Sequence, residues 1–398
     1  MLRYRLPFVL LVGLLFLVFP SCAAAGASCL TEPATPAFEL DYLPQPGRAA
    51  VTAQTREKTT AILCTRLHSS GIAGQVSLTD DGRIHVVLPP LPQAGDLRQL
   101  ADQLGISGQL RFYDWEPNLI GPERKIGGHP GSAPRIRPLR RLEREWATSA
   151  QQVSRPANRR LILAGAFPGP YGAVRLASQQ KPRANCRACT TSGPRFYLFD
   201  RSPDHKLIAG PVAHRAELQQ ELGTPHKGLV LKVPVGTVIA SEPPTSSSGA
   251  VRKTGAPGWF ALKDRAALTN AEIVRPAAER DEFGQPNLTF GFTPKGRVAF
   301  ERVTRAIARR GRKRVKGKVT EAEAEALSGH FAIVFDGEVR TRPIINFLYN
   351  PGGINGRTGA EISGGFTSEQ ETRDLAAILK VDPLPIELTL VRQRKLAG

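Results

Sequence analysis

The stretch Phe331-Ala-Ile-Val-Phe-Asp-Gly-Glu-Val-Arg-Thr-Arg-Pro-Ile-Ile345 carries the strongest fold signal in this chain of 398 residues. Two runs rich in β-branched and aromatic residues flank Asp336-Gly337, a dipeptide that suits the left-handed backbone of a type I′ turn. The stretch therefore predicts a β-hairpin. We expect Asp336 to serve the turn rather than a reaction, because turns of this type favour Asp before Gly.

The residues after the hairpin continue an α+β pattern. A Gly-rich strand is predicted at Glu361–Thr367, and a helix at 368–380 that begins with the capping-box pattern Thr367-Ser-Glu-Gln370. An extended strand follows at Pro383–Leu390. Asp374 lies on the predicted helix beside Arg373, and we expect it to face solvent.

The residues before the hairpin predict a strand and a long helix. Asn287–Thr293 alternates in the manner of a strand, and a helix is expected from Gly296 onward. The basic run Arg309–Lys318 is expected to interrupt this helix before a second helix at Glu321–Leu327. The first helix is predicted to direct four apolar residues toward a core: Val298, Phe300, Val303 and Ile307.

The first hundred residues predict a β-α-β-β-α-β unit, the ferredoxin-like arrangement of two helices on one face of a four-stranded sheet. The second and third strands flank Asp81-Gly82, a hairpin signal. The helices are expected at 55–70 and from Asp96 to Gly105. The strands are expected at Phe38–Tyr42, Gln75–Thr79, Arg83–Leu88 and Gln109–Tyr113.

The middle of the chain is dense in Pro, Gly, Arg and Ser and predicts a long irregular insertion. Apolar pieces at Arg160–Gly165, Phe196–Phe199 and Gly228–Val233 indicate some strands, and Leu142–Gln151 and His214–Leu222 indicate helical fragments. The fold class predicted for the whole chain is α+β. Its expected organisation is a signal or anchor at 1–28, a ferredoxin-like subdomain at 29–115, the insertion at 116–256, and an α+β subdomain with its terminal strand at 257–398.

The N-terminus has the order of a secretory signal: Arg3 and Arg5, an apolar run from Phe8 to Phe19, then small residues. The uncharged stretch Leu6–Leu30 is also long enough to span a bilayer as an uncleaved anchor. Lipidation of Cys22 is a third alternative, although the residues before it form a poor lipobox. In each case we expect the rest of the chain on the extracytoplasmic side or secreted.

Outside residues 1–30 the cysteines are Cys64, Cys186 and Cys189. Cys186 and Cys189 lie in a loop composition without further zinc ligands nearby, so we expect a local disulfide in an oxidising compartment. Cys64 falls on the apolar side of a predicted helix and is expected to be a small core residue. The sequence predicts no metal site.

The formal charge of +19 is concentrated in two segments. Residues 122–187 carry 14 Lys or Arg against 3 acids, and residues 302–318 carry 9 with no acid. Such segments suit an anionic lipid surface or an acidic polymer, and equally suit solvated basic loops. Nucleic acid is not expected, because an export signal argues against it and no aromatic residues interleave the cations. The anionic-surface candidates are Arg309, Arg310, Arg312, Lys313 and Arg314.

No pattern of catalytic residues stands out. The seven histidines are dispersed, no serine nucleophile elbow is present, and Gly352-Gly-Ile-Asn-Gly356 lacks the lysine of a phosphate-binding loop. We therefore expect no enzymatic activity, no catalytic residues and no cofactor.

Four stretches, taken in order, resemble the periplasmic region of the SecD family of protein-export membrane proteins. They are Arg66–Gly71 with Gly82–Pro89, then Gly108–Tyr113, then Gly284–Phe292 with Gly296 and Phe300, and the terminal series with Ala332-Ile-Val, Asp336-Gly337, Pro343-Ile344 and Ile362-Ser-Gly-Gly-Phe-Thr. The resemblance covers about 200 residues and omits 116–256. Asp382-Pro383 departs from the Gly-Ala that the family has before Leu-Pro.

The resemblance implies a ferredoxin-like base, a head subdomain that contacts translocating polypeptide, and an initial membrane helix. It also implies SecF and the SecYEG translocon as partners. The family's later proton-conducting helices have no counterpart in the sequence, so we expect no proton coupling of its own. The two hypotheses are an accessory of Sec-dependent export that binds exported polypeptide, and a secreted or tethered SecD-fold protein that uses its basic segments on anionic lipid or wall polymer.

Overall fold

The fold is known from a computed structural model. It describes residue 29, residues 33–91, 96–121 and 166–183, residue 189, residues 193–220, 227–244, 257–315 and 317–363, residue 366, and residues 368–396. The leader with Cys22, most of the basic segment 122–187, Cys186 and the predicted helix Leu142–Gln151 lie outside the described residues.

The described residues form eighteen strands, eight α-helices and one 3-10 turn. The helices are α1 Ala53–Ser69, α2 Asp96–Gly105, α3 Trp115–Asn118, α4 Pro170–Ser178, α5 Glu217–Gln220, α6 Pro294–Lys313, α7 Glu321–Leu327 and α8 Glu369–Leu379. The strands are β1 Phe38–Gln45, β2 Gln75–Leu78, β3 Ile84–Leu88, β4 Leu110–Asp114, β5 Leu119–Ile120, β6 Arg195–Phe199, β7 Leu207–Val212, β8 Leu229–Val233, β9 Thr237–Glu242, β10 Gly258–Lys263, β11 Leu268–Thr269, β12 Ile273–Arg280, β13 Pro286–Phe292, β14 Gly329–Phe335, β15 Glu338–Thr341, β16 Ile344–Ile345, β17 Ala360–Ser363 and β18 Glu387–Lys395.

The N-terminal sheet has the strand order β18-β1-β3-β2. Its core face is apolar at alternate positions, and α1 and α2 cover that face with residues such as Leu63, Leu67 and Leu104. The fourth strand of this sheet is the terminal strand β18, which pairs antiparallel with β1 from Phe38 to Gln45. The prediction that Gln109–Tyr113 closes this sheet is therefore wrong.

That segment instead forms β4 in the central sheet, whose order is β11-β4-β14-β15-β9-β10-β5. Leu110 to Tyr113 are buried on both faces of the sheet, which requires a partner layer on each side. The pairing partner of β4 is β14 of the predicted hairpin, more than two hundred residues away along the chain. Local alternation cannot identify a partner at that distance.

Two smaller sheets complete the molecule. The C-terminal sheet, β12-β13-β17, packs with α6 and α8 against one face of the central sheet, around Phe112, Phe290 and Phe300. The insertion sheet, β7-β6-β8, is built from the middle of the chain. The predicted apolar pieces at 196–199 and 228–233 are strands of this sheet. Within the described part of the predicted helix His214–Leu222, residues 214–220, the helical residues are those of α5.

The long helix differs from its prediction in length and in one core residue. It continues through Lys313 instead of stopping at the basic run, because Arg and Lys are good helix formers and Gly311 allows the ring of Phe347 to pack against the helix. Phe300, Val303 and Ile307 are buried as predicted, whereas Val298 is exposed.

Cys64 is buried, but it is not a free core thiol: it forms a disulfide with Cys29, with Cα atoms 5.7 Å apart. The prediction missed this bond because Cys29 was grouped with the leader. Cys29 is held beside the N-terminal sheet, where its carbonyl accepts a hydrogen bond from the Val76 amide at 3.1 Å. The disulfide therefore fixes the chain before β1 to α1.

The hairpin prediction is confirmed: β14 and β15 pair around Asp336 and Gly337, whose φ angles of 45° and 83° are left-handed. The cap of α8 is Ser368, whose side chain accepts from the Glu371 amide. Asp374 is half-buried rather than solvent-facing, and its carboxylate accepts from Gln103 of α2 at 2.6 Å. Within the described ranges, no helix is both long and apolar enough to cross a membrane. The fold is α+β, as predicted.

Candidate functional site

The N-terminal, central and insertion sheets meet at a cleft of about 540 Å³, which we call the inter-sheet cleft. Its lining comes from the end of α2, the start of β4, the hairpin turn, β9, the first half of β18, and side chains of β6, β7 and β8. Segments that are far apart in the chain, such as Gly105–Ser107 and Glu387–Leu390, are neighbours here. The cleft is the candidate functional site.

One wall of the cleft is an open edge of β9. This strand pairs along its length with β10 on one side, but on the other side its register with β15 contains only the pair Glu338 and Ser241. The Ser241 amide donates to the Gly337 carbonyl at 2.8 Å on that second side. Since backbone groups of residues two apart point the same way, the N–H and C=O of Ile239 also face away from β10, toward the cleft.

The lining of the cleft contains a second strand edge. Among the described strands, β18 is the outermost of the N-terminal sheet and pairs with β1 alone. Glu387 to Leu390 line the cleft, while Leu390 and Val391 are exposed. Unpaired strand edges are templates for a further extended chain. The cleft therefore presents two such edges to one cavity.

The hairpin turn is fixed at the floor of the cleft by the side chain of Asp336. Its carboxylate accepts hydrogen bonds from the amides of Gly108 and Gln109, at 2.9 and 2.7 Å, and from the Ser107 hydroxyl. Arg66 donates to the Leu104 carbonyl at 3.1 Å, and burial lowers the pKa of its guanidinium to about 10. The Asp336 bonds attach the hairpin turn to the segment between α2 and β4, and the Arg66 bond attaches α1 to the end of α2.

Of the two arginines in the cleft, Arg195 has a carboxylate partner and Arg111 has an amide partner. Arg195 donates to the Glu387 carboxylate and to the Pro46 carbonyl, at 2.8 and 2.6 Å. Burial raises the pKa of the Tyr197 hydroxyl, so this phenol is neutral at neutral pH, although Arg195 acts in the opposite direction. Arg111, the second residue of β4, is 9% exposed, and its Nη2 donates to the side chain of Gln109. Burial raises the pKa of the Tyr113 hydroxyl, and Arg111 acts on it in the opposite direction.

The anionic-surface candidates divide into two groups. Arg309, Arg312, Lys313 and Arg314 are exposed at the end of α6, and among the described residues none of the four forms an ion pair. Arg310 turns back to the central sheet and forms a bidentate pair with Asp114, at 2.7 Å for one of its contacts. Leu348 is exposed beside this basic end and lines a groove of about 880 Å³ with it.

The other predicted sites are placed as follows. Cys189 is disulfide-bonded, while its expected partner Cys186 lies outside the described residues, so that pairing stays a prediction. Within the described part of the chain, one group of three possible metal ligands occurs, Cys29, Cys64 and His68. Two of them are joined as the disulfide, which removes the thiolates that a metal requires.

The sequence prediction missed every polar residue of the inter-sheet cleft except Asp336. Arg111 and Arg195 each stand alone in an apolar strand, where a single cation normally points to solvent. The only sequence signal is the alternation of β4, in which Arg111 shares a face with Tyr113. That pattern indicates a buried face, but the chain offers no local clue to what covers it.

Residues 247–386 match the family model described as SecDF, P1 head subdomain. The protein translocase subunit SecDF of Thermus thermophilus is 30% identical to this chain over 127 residues, which are 32% of this chain and 14% of that protein. The protein translocase subunit SecD of Magnetococcus marinus is 26% identical over 196 residues, which are 49% of this chain and 32% of that protein.

A crystal structure of SecDF in a super-membrane-facing form superimposes with a TM-score of 0.44 and 19% sequence identity, over 90% of this chain and 30% of that one. This chain spans less than a third of the length of the curated relatives described above.

Proposed function

Since this chain carries a periplasmic region of the SecD family, we propose that it takes part in Sec-dependent protein translocation, by binding exported polypeptide on the extracytoplasmic side of the membrane. The observation that carries the proposal is the match of residues 247–386 to the P1 head subdomain. The proposed role is one of binding, with no reaction. SecF, the SecYEG translocon and the membrane are its proposed partners.

In this proposal the β18-β1-β3-β2 sheet with α1 and α2 is the ferredoxin-like base of the family, closed by the terminal strand. The C-terminal sheet with α6 and α8 belongs to the head, whereas the inter-sheet cleft lies where the base meets the central and insertion sheets.

The proposed mechanism of binding is strand addition. An unfolded chain carries unpaired N–H and C=O groups at every residue, and a sheet edge bonds these groups without reading the sequence. The open edge of β9 at Ile239 supports this mechanism, because its backbone groups face a cavity rather than another strand of the central sheet. Leu390 of β18 adds exposed apolar surface to the lining of the same cleft.

Photo-crosslinking in cells tests the proposal. A photo-reactive residue is placed at Ile239 in the cleft or, as a control, at Phe283, which is exposed in the turn between β12 and β13. With a stalled export substrate, we expect an adduct from position 239 and little from position 283. Equal yields from both positions, or recovery of neither substrate nor SecY-complex subunits, would contradict the proposed function.

A further inference from the structure

We propose that Arg111 makes the inter-sheet cleft selective for a carboxylate carried by the bound extended chain. The inference rests on the proposed function and deepens it, because it names a class of segment that the cleft prefers. The chemistry required is a carboxylate beside an extended backbone. An acidic side chain and a C-terminal carboxylate both supply it.

The first argument is the burial of an uncompensated cation. Arg111 is 9% exposed and lines the cleft. Its Nη2 donates to the Gln109 side chain, and its Nε has no hydrogen-bond partner among the described residues. A buried guanidinium normally pairs with a carboxylate, because removing the charge from water is costly without a partner. Within the described ranges no acid forms an ion pair with Arg111.

The second argument is that the acids around the cleft are already engaged or distant. Asp336 accepts from three donors at Ser107, Gly108 and Gln109. Glu387 pairs with Arg195 at 2.8 Å. Asp102 lines the cleft but is exposed and makes no ion pair with Arg111. In the described part of the chain none of these three acids forms an ion pair with Arg111, whose Nε is therefore available to the carboxylate of a ligand.

The third argument is the position of Arg111 relative to the open strand edge. Arg111 and Ile239 line the same cleft, so a cation and the backbone groups that would pair with an added strand face one cavity. A guanidinium binds a carboxylate with two parallel hydrogen bonds, which fixes direction and register. In this proposal the edge of β9 binds any extended segment, and Arg111 makes segments that carry a carboxylate bind more tightly.

Peptide binding to the purified full chain tests this inference. The probes are extended peptides of about ten residues, the upper range of strand length. Three sequences are compared: one with a Glu at the centre, one with that Glu at one end, and one with a Gln at the centre. Each is made with an amidated and with a free C-terminus. Binding is measured by fluorescence anisotropy at high salt, which screens the basic surface.

We expect the central-Glu peptide to bind about tenfold more tightly than the central-Gln peptide, which corresponds to about 1.4 kcal/mol for a charge-assisted pair. The substitution Arg111→Gln should remove this preference, Arg111→Lys should retain part of it, and the exposed control Arg297→Gln should leave it unchanged. If peptides with a free C-terminus bind more tightly than amidated ones and the Glu makes no difference, the carboxylate that Arg111 binds is the C-terminal one.

Two contrary outcomes are distinguishable. If the Glu and Gln peptides bind the wild-type chain equally, and a free C-terminus binds no more tightly than an amidated one, the Arg111 inference is wrong and strand addition stands. If none of the peptides binds, both fail. The comparison of peptides needs no variant protein, so a folding defect in Arg111→Gln cannot hide the answer.

Discussion

Replacing Glu242 by alanine is expected to lower the free energy of unfolding by about 3–5 kcal/mol. Glu242 in β9 is fully buried and forms a bidentate pair with Arg342, with Nε–Oε1 and Nη2–Oε2 distances of 3.2 and 3.0 Å. The guanidinium also lies 4.9 and 5.4 Å from the rings of Trp115 and Phe260. Without Glu242, Arg342 is a buried cation that has lost its carboxylate.

Urea denaturation measures this loss. The double variant Glu242→Leu with Arg342→Met removes both charges and is expected to recover most of the stability, because similar volumes of apolar side chain replace the pair. A loss below about 1 kcal/mol in the single variant would mean that water reaches the site and the pair is not buried. The prediction bears on function, since this pair holds β9, whose edge forms the cleft.

Replacing Cys64 by serine is expected to destabilise the protein under oxidising conditions by about 3–4 kcal/mol, through the loss of a cross-link between positions 35 residues apart. Thermal and urea unfolding measure the effect. Cys29→Ser should cost the same amount, and the double variant should cost no more than either single one, because all three break one bond. Additive costs would contradict the disulfide.

The sequence predicted the features that depend on neighbours along the chain. The hairpin at Asp336-Gly337 needs only a dipeptide that tolerates a left-handed backbone, and the structure has it. The first three strands and two helices of the N-terminal sheet were also predicted at nearly their observed positions. In each case local periodicity and turn residues carry enough information.

The features that depend on distant partners were not predicted. The sequence predicts the strand at Leu110–Asp114 as the fourth strand of the N-terminal sheet. In the structure it pairs with β14 in the central sheet, and β18 is the fourth strand of the N-terminal sheet. Likewise, the sequence predicts Arg310 as one of five surface cations, but its guanidinium forms an ion pair with Asp114 of the central sheet. Pairing over such separations is decided by packing, which sequence patterns do not record.

The candidate site was hidden for the same reason. A lone Arg111 within an apolar strand gives no sign of its surroundings, and Ile239 is recognisable as an edge residue only once β15 is seen to leave β9 after one pair. The predicted basic candidates other than Arg310 are exposed, but they lie at the end of α6 and do not line the cleft.

Amide hydrogen exchange at Ile239 tests the central claim most directly. The amide of this residue faces the inter-sheet cleft, whereas those of Val238 and Ala240 point to β10 and are already paired within the sheet. When an extended polypeptide is added to the full chain, we expect exchange at Ile239 to slow at least about tenfold, with little change at its two neighbours. Unchanged exchange at Ile239 under conditions of saturated binding would contradict strand addition at this edge.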